Sequence, residues 1–98
     1  MPLRIERTPQ SKRDLFAIWD YVSPESVRGA ERLIRRIDEI VRMLEQNPSA
    51  GRISPVSESL RYFPLENYLI FYRHTDTALT IIRILHAARD ITPGMLDD

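Results

Sequence analysis

Two side chains near the C-terminus, His86 and Arg89, are of the types that proton transfer on a phosphate ester requires. An imidazole can move a proton near neutral pH, and a guanidinium group can stabilise the charge of a phosphorane. The pair therefore fits a site that cleaves RNA. A structural role is the alternative: His86 would bond to the backbone at the end of a strand, and Asp90 would pair with an arginine.

Three more arginines lie on segments predicted to be neighbouring strands: Arg61, Arg73 and Arg83. If their side chains converge, the three cations repel one another unless an anion lies between them, so a cluster would suit an anionic surface. For Arg83 the alternative is an ion pair with an aspartate or glutamate, or a side chain that extends to solvent. Strand registers decide between these possibilities, and the sequence does not show them.

The usual metal and cofactor motifs are absent from the sequence. There is no cysteine, and His74, the second of two histidines, falls in a predicted turn without a nearby acid cluster. The sequence also lacks a glycine-rich phosphate loop, a His-Glu-x-x-His motif and a serine nucleophile elbow. We therefore predict neither a cofactor nor a metal site.

The composition describes one small folded domain with an unusual choice of cation. The chain has 98 residues and a formal net charge of zero. Among its lysines and arginines, only Lys12 is a lysine and all the others are arginines. Arginine forms bidentate contacts with carboxylates and phosphates, but a net charge of zero predicts no direct binding of nucleic acid by this chain alone. A GC-rich genome would also explain the arginines. Because residues 1–7 contain no apolar run, we expect no membrane segment and a cytoplasmic protein.

The first third of the chain predicts a short strand and a helix. Leu3 and Ile5 alternate with charged residues, as in a strand with one buried face. Thr8 before Pro9 is a helix-start signal, since the hydroxyl can cap backbone amides and proline tolerates the first helical position. The helix should reach about residue 22, with an apolar face at helical spacing: Leu15, Phe16, Ile18, Trp19 and Val22.

A second, longer helix is predicted to begin at Ser23-Pro24-Glu25 and to end at Asn47-Pro48. Its outer face offers i,i+4 ion pairs such as Asp38–Arg42, each worth about 0.2–0.5 kcal/mol. The two amphipathic helices would form an antiparallel hairpin that must pack on a sheet. Residues 49–59, rich in serine, proline and glycine, are predicted to be a surface loop.

Three strands are predicted after this loop, at residues 60–63, 68–73 and 78–86, where aromatic and β-branched residues dominate. Their connectors have hairpin length, so the strands should be antiparallel neighbours. The predicted fold is therefore α+β, in the order β-α-α-β-β-β, with a helical hairpin packed on a small, mainly antiparallel sheet. It forms a single domain over residues 1–98, and a flexible tail over residues 91–98 is one option.

Strict alternation in the last strand predicts two faces that are both largely apolar. One face would carry Leu79, Ile81, Arg83 and Leu85, and the other would carry Thr80, Ile82, Ile84 and His86. A strand that is apolar on both faces is typical of the centre of a sheet. We therefore expect the helices on one side and the loop or a partner on the other.

Segments along the whole chain resemble the ParE branch of the RelE/ParE toxin superfamily. Residues 14–22 are similar to the first-helix pattern of the family, residues 44–52 to its helix exit, and Leu60-Arg61 to the start of its strands. Tyr68-Leu69-Ile70-Phe71-Tyr72-Arg73 resembles the family's Tyr-Arg-Ile-x-Tyr-Arg strand, with Leu69 in place of the usual arginine. The strongest element is Ile84-Leu85-His86-Ala87-Ala88-Arg89-Asp90, which resembles the closing Ile-Leu-x-Val-x-His-Gly-x-Arg-Asp pattern.

The resemblance implies a growth-inhibiting toxin of a type II toxin–antitoxin system, of the kind that also stabilises plasmids. Such a toxin inhibits DNA gyrase without a catalytic centre of its own. A ParD-like antitoxin would neutralise it in a hetero-oligomer. Contacts with the target would come from Arg61, Arg73, Arg83 and Arg89. The antitoxin would lie over the helices and sheet, on the residues Trp19, Leu33, Ile37, Tyr68 and Tyr72.

Two alternatives stay open under this resemblance. The RelE branch cleaves messenger RNA on the ribosome, and Arg61, Arg83 and His86 could fill part of its set of basic and proton-transferring residues. The lysine part of that set is missing, because Lys12 lies on the first helix. The other alternative is an inactive member whose remaining role is to bind antitoxin.

Overall fold

The chain forms a five-stranded sheet with two helices packed on it, in a computed structural model that describes residues 3–96. The strand order is β1-β5-β4-β3-β2, in which β1 is parallel to β5 and the other neighbours are antiparallel. This confirms the predicted α+β class with its mainly antiparallel sheet. The elements are β1 (Arg4–Arg7), α1 (Pro9–Val22), α2 (Val27–Gln46), β2 (Arg52–Ser54), β3 (Ser57–Leu65), β4 (Tyr68–His74) and β5 (Ala78–His86).

Thr8 begins α1 as predicted, and it also fastens the helix to the sheet. Its hydroxyl accepts a hydrogen bond from the Ser11 amide at 3.0 Å and donates one to the Ile82 carbonyl at 2.7 Å. The Thr8 amide donates to the Ile81 carbonyl at 3.1 Å. One threonine therefore satisfies a free amide of the helix and continues the strand pairing where β1 ends.

The predicted start of α2 at Ser23 was wrong. Ser23 instead closes α1, because its amide donates to the Trp19 carbonyl, and the amide of Ser26 still bonds to the Val22 carbonyl. The cap of α2 is Ser26, whose hydroxyl accepts from the Gly29 amide at 2.9 Å. Ser23 and Ser26 are both residue types that can cap a helix. Because Ser23 belongs to the last turn of α1, Ser26 is the one that caps α2.

The stripe of α2 that faces the sheet stabilises the helix far more than its surface charges do. The buried side chains of this stripe are Ala30, Leu33, Ile37, Val41 and Leu44. Burial of each side chain larger than alanine contributes about 1.5–3 kcal/mol. Of the predicted surface pairs, Asp38–Arg42 forms with 2.9 Å between nitrogen and oxygen, while Glu39 pairs with Arg36. Such exposed pairs contribute only about 0.3–0.5 kcal/mol each.

The predicted surface loop at residues 49–59 contains the strand β2, which the sequence did not indicate. A 3₁₀ turn (Pro48–Ala50) follows α2, and Arg52 then pairs with Tyr62 of β3. The strand β3 also begins three residues earlier than predicted, at Ser57. The short β2 covers part of the edge of β3, which would otherwise expose unpaired backbone groups.

A β-bulge at Ile82 changes which side chains of β5 share a face. Phe71 of β4 lies opposite Arg83 and Tyr72 lies opposite Ile81, so Ile82 lies opposite no residue of β4. Leu79, Ile81 and Ile84 therefore pack on the helix side, whereas Ile82 and Leu85 pack on the opposite side. The prediction from strict alternation holds as far as Ile82 and was wrong from Arg83 onward, because the bulge shifts the pattern by one residue.

The C-terminal tail covers the sheet face opposite the helices. A second 3₁₀ turn (Pro93–Leu96) places Leu96, only 5% exposed, against Leu60, Phe71 and Ile82. Leu96 therefore packs this turn against the sheet. Residues 97 and 98 of the predicted tail lie outside the described residues.

Candidate functional site

Arg83 is held by Asp14 of α1 in a bidentate ion pair. Its Nε lies 2.8 Å from Asp14 Oδ2 and its Nη2 lies 2.9 Å from Oδ1. The two side chains are only 16% and 11% exposed. The hydrogen bond with Asp14 raises the pKa of Arg83 further, against the opposing effect of burial. The arginine is therefore charged and paired, as in one of the two predicted alternatives.

The position of Asp14 follows from the length of β1. That strand ends at Arg7, opposite Ile81, so the next part of β5 has no strand on this side. The helix α1 takes its place, and Asp14 Oδ2 accepts a hydrogen bond from the Ile84 amide at 2.9 Å. Arg83 Nη1 also donates to the Met95 carbonyl at 3.0 Å. This cluster of Asp14, Arg83, Ile84 and Met95 joins α1, β5 and the tail.

The predicted cluster of Arg61, Arg73 and Arg83 does not form. Arg61 lies opposite Tyr72, whose side chain packs on the helix side, whereas Arg83 lies opposite Phe71, which packs on the other side. Arg61 donates from Nη1 to the Gly51 carbonyl at 2.8 Å. Arg73 lies on the same side as Arg83 but opposite Thr80, further along the ladder. The idea of one three-cation site was therefore wrong.

Tyr72 is a core residue that fixes the segment after α2. Its hydroxyl donates to the Pro48 carbonyl at 2.7 Å and accepts from the Gly51 amide at 2.8 Å. A Cβ at Gly51 would collide with this hydroxyl, so the close approach requires glycine. Burial raises the pKa of the Tyr72 phenol, although the Gly51 hydrogen bond and the charge of Arg61 act in the opposite direction.

Three of the five residues predicted to bind antitoxin are buried in this chain. Leu33, Ile37 and Tyr72 are 6%, 1% and 0% exposed. Their apolar character reflects packing between α2 and the sheet, and a partner cannot reach them without opening the core. Only Trp19 and Tyr68 of the predicted set are half-buried and accessible to a partner.

His86 and Arg89 lie at the open end of β5. The Ala88 amide donates to His86 Nδ1 at 3.1 Å, and the His86 ring meets Tyr68 edge-on with 5.3 Å between centroids. His86 thus has the backbone contact foreseen in the structural alternative. Within residues 3–96, neither Arg89 nor Asp90 forms an ion pair, so the predicted pairing of Asp90 with an arginine was wrong.

The proposed nuclease residues are therefore apart. His86 pairs with Tyr68 at one end of the sheet, while Arg61 lies four residues before Leu65, the partner of Tyr68. Four strand residues span about 13 Å. Arg83 lies on the opposite face from Arg61, with its guanidinium engaged by Asp14. No single phosphate can contact all three side chains in this arrangement.

A cleft of about 400 Å³ lies between α1 and the ends of β4 and β5. Its floor is formed by two buried apolar residues, Ile18 and Ile84, and Leu85 of β5 also lines it. Its rim carries polar groups: Tyr21, Tyr68, His86 and Arg89. Burial raises the pKa of Tyr68, and the nearby Tyr21 adds to this shift. We call this feature the rim cleft; sequence reasoning found His86 and Arg89 but missed Tyr21.

A second concave surface, the α1–α2 groove, lies on the other side of α1. Its volume is about 540 Å³, and it is lined by Lys12, Leu15, Phe16, Trp19 and Ile34. Phe16 was predicted to belong to the buried stripe of α1, but 71% of it is exposed. Helical spacing could not show this, because α1 is covered on one side only.

No helix within residues 3–96 has the length and apolar character needed to cross a membrane. The same part of the chain contains no group of three or more histidine, aspartate and glutamate side chains placed to bind a metal ion.

Comparison with known proteins identifies the family. The family model "ParE toxin of type II toxin-antitoxin system, parDE" matches residues 5–91. Toxin RelE2 of Caulobacter vibrioides is 35% identical over 77 residues, which are 78% of this chain and 85% of that protein. A solved chromosomal ParDE system from P. aeruginosa has a TM-score of 0.75 and 29% identity, covering 86% of this chain and 95% of that one.

A more distant structure shows the same fold. The RelBE2 toxin–antitoxin complex from Mycobacterium tuberculosis matches with a TM-score of 0.61 and 19% identity, over 88% of this chain and 99% of that one. The resemblance found in the sequence is thus confirmed by the family model and by the solved structures. The chain belongs to the ParE toxins of type II toxin–antitoxin systems, within the RelE/ParE superfamily.

Proposed function

We propose that this toxin acts by binding DNA gyrase and not by cutting RNA. The observation that supports this most directly is the separation of Arg61 and Arg83 onto opposite faces of the sheet. Cleavage of a phosphodiester needs its cations and its proton donor within about 3 Å of one reacting group. Both guanidinium groups instead contact acceptors of the chain itself.

The surface offered to gyrase is the open end of the sheet. Arg89 there is exposed and has no ion pair with any of residues 3–96, so it can pair with a carboxylate of a target. Arg61 and Arg83 are less suited to this role, since a target would have to displace their present partners. We therefore assign target contact to Arg89.

The toxin is neutralised by a ParD-like antitoxin in a hetero-oligomer. The related solved structure from P. aeruginosa is described as a ParDE system, which supports such a partner for this chain. The α1–α2 groove is the surface best suited to the antitoxin, because it is apolar and contains the exposed ring of Phe16 and the half-buried ring of Trp19. An exposed aromatic patch of this kind is typical of protein interfaces.

Induction of the toxin in cells, with and without its antitoxin, tests this proposal. The two readouts are primer extension on translated messages and the topology of a reporter plasmid. We expect arrested growth, a relaxed plasmid and intact messages, with all effects reversed by the antitoxin. Message cleavage that is lost in the His86→Ala variant would establish the RelE-type alternative, and unharmed growth would indicate an inactive member.

A further inference from the structure

Each polar side chain on the rim of the cleft can donate a hydrogen bond. Tyr21 and Tyr68 supply hydroxyl groups and Arg89 supplies a guanidinium group. The Ala88 amide donates to His86 Nδ1, so the proton of the neutral ring is on Nε2, which is a further donor. An opening surrounded by donors favours a ligand with several acceptor oxygens and negative charge.

Asp14 also lines this cleft, but its charge is already compensated. Its carboxylate accepts hydrogen bonds from two nitrogens of Arg83 and from the Ile84 amide, at 2.8–2.9 Å. The guanidinium of Arg89, which also lines the cleft, forms no ion pair with any of residues 3–96. An anion that enters the cleft therefore meets net attraction.

The remaining lining fits a flat apolar body. Tyr21 is 79% exposed and lies beside the half-buried ring of Tyr68, next to the apolar floor of Ile18 and Ile84. Exposed aromatic rings are surfaces on which a nucleobase can stack, at about 1–3 kcal/mol per base. A cleft of about 400 Å³ also lies within the range of about 300–1,000 Å³ typical of small-ligand sites.

We propose that the rim cleft is a binding site for a nucleoside monophosphate. The phosphate contacts Arg89 and His86 Nε2, and the base packs against Tyr21 and Tyr68 above the apolar floor. A free phosphate, in contrast, would leave the rings of Tyr21 and Tyr68 without a contact. A peptide partner would fit the larger and more apolar α1–α2 groove on the other side of α1, which is lined by one cation and four apolar residues. The inference does not depend on whether gyrase is the target.

Calorimetric titration of the full chain with adenosine monophosphate tests this proposal, with adenosine and inorganic phosphate as separate probes. We expect the monophosphate to bind more tightly than either probe. Arg89→Ala should weaken its binding about tenfold or more, as expected for a lost charged hydrogen bond. Tyr21→Ala should weaken it about fivefold or more through lost stacking, while Tyr21→Phe should retain most of the affinity.

Matched controls come from the α1–α2 groove. Lys12→Ala removes an exposed cation and Phe16→Ala an exposed aromatic ring outside the cleft, and both should bind the monophosphate as the unmodified chain does. Because Tyr21 and Arg89 are exposed, their variants should keep the unmodified circular dichroism spectrum. Absence of binding at millimolar monophosphate, equal binding by the cleft variants and the controls, or binding of an acidic peptide alone would overturn the proposal.

Discussion

Asp14 and Arg83, 69 positions apart in the sequence, form a bidentate ion pair that links the first helix to β5, beyond the point where β1 ends. The same carboxylate accepts the Ile84 amide where β1 has ended, and the same guanidinium reaches the Met95 carbonyl of the tail. An arginine that the sequence offers as a catalytic or target-binding cation therefore holds three parts of the fold together.

Replacing Asp14 by alanine should destabilise the protein by about 2–4 kcal/mol, because it leaves two nitrogens of a largely buried guanidinium, Nε and Nη2 of Arg83, and the Ile84 amide without partners. The measurement is the free energy of unfolding in urea. The exposed Asp20→Ala on the same helix is the control and should change this value by less than about 0.5 kcal/mol. If Asp14→Ala and Asp20→Ala have equal effects, the ion pair does not contribute to stability.

The phenol of Tyr72 should contribute both stability and pH dependence. Tyr72→Phe leaves the Pro48 carbonyl and Gly51 amide without their partner, which should cost about 1–3 kcal/mol at neutral pH. The exposed Tyr21→Phe is the control, and its effect on the free energy of unfolding should be close to zero.

The direction of the pH effect follows from the raised pKa of Tyr72. Its ordinary value is 10.0, and burial raises it, so the folded state holds the proton more firmly than the unfolded state. This stabilisation is complete below the ordinary value and is lost as the pH rises through the raised one. The unmodified protein should therefore lose more stability than Tyr72→Phe above about pH 10. Equal losses would show that Tyr72 does not titrate differently in the two states.

Leu96 should anchor the tail to the sheet. Leu96→Ala removes a side chain that is 5% exposed, and we expect a loss of about 2–4 kcal/mol in the free energy of unfolding. Thr92→Ala, at an exposed position of the same tail, is the matched control. A loss below about 0.5 kcal/mol for Leu96→Ala, the range of ordinary surface changes, would mean that the tail leaves the sheet at little cost.

Phe16 should contribute to antitoxin binding and not to folding. Its ring is 71% exposed at the α1–α2 groove, so Phe16→Ala should weaken the complex about tenfold or more while the free energy of unfolding is retained. Val27→Ala, which also shortens an exposed apolar side chain but outside this groove, is the control. The measurement is calorimetric titration with the cognate antitoxin. Unchanged affinity would place the antitoxin elsewhere.

The elements that local chemistry specifies were predictable from the sequence. The Thr8-Pro9 start of α1, the end of α2 before Pro48 and the three long strands all depend on capping, proline geometry or side-chain alternation, which act over a few residues. The α+β class followed from their order. The short β2 was not predictable, because its pairing with Tyr62 depends on a distant strand and its own composition is that of a loop.

The candidate site was harder to predict because its geometry depends on register. The bulge at Ile82 reverses the faces of the following residues, and no residue type at that position signals it. The Asp14–Arg83 contact depends on where β1 ends, which places α1 beside β5. Tyr21 was overlooked because it lies outside the apolar stripe of α1, and only the folded chain brings it beside Tyr68 and His86.

Inhibition of purified DNA gyrase tests the central proposal most directly. Relaxed plasmid, gyrase and ATP are incubated with increasing amounts of the full-length toxin, and the supercoiled product is measured on gels. We predict that a stoichiometric excess of toxin blocks supercoiling, that added antitoxin restores it, and that Arg89→Ala weakens the block while Lys12→Ala does not. Normal supercoiling at that excess, with active gyrase and folded toxin, would contradict the proposal.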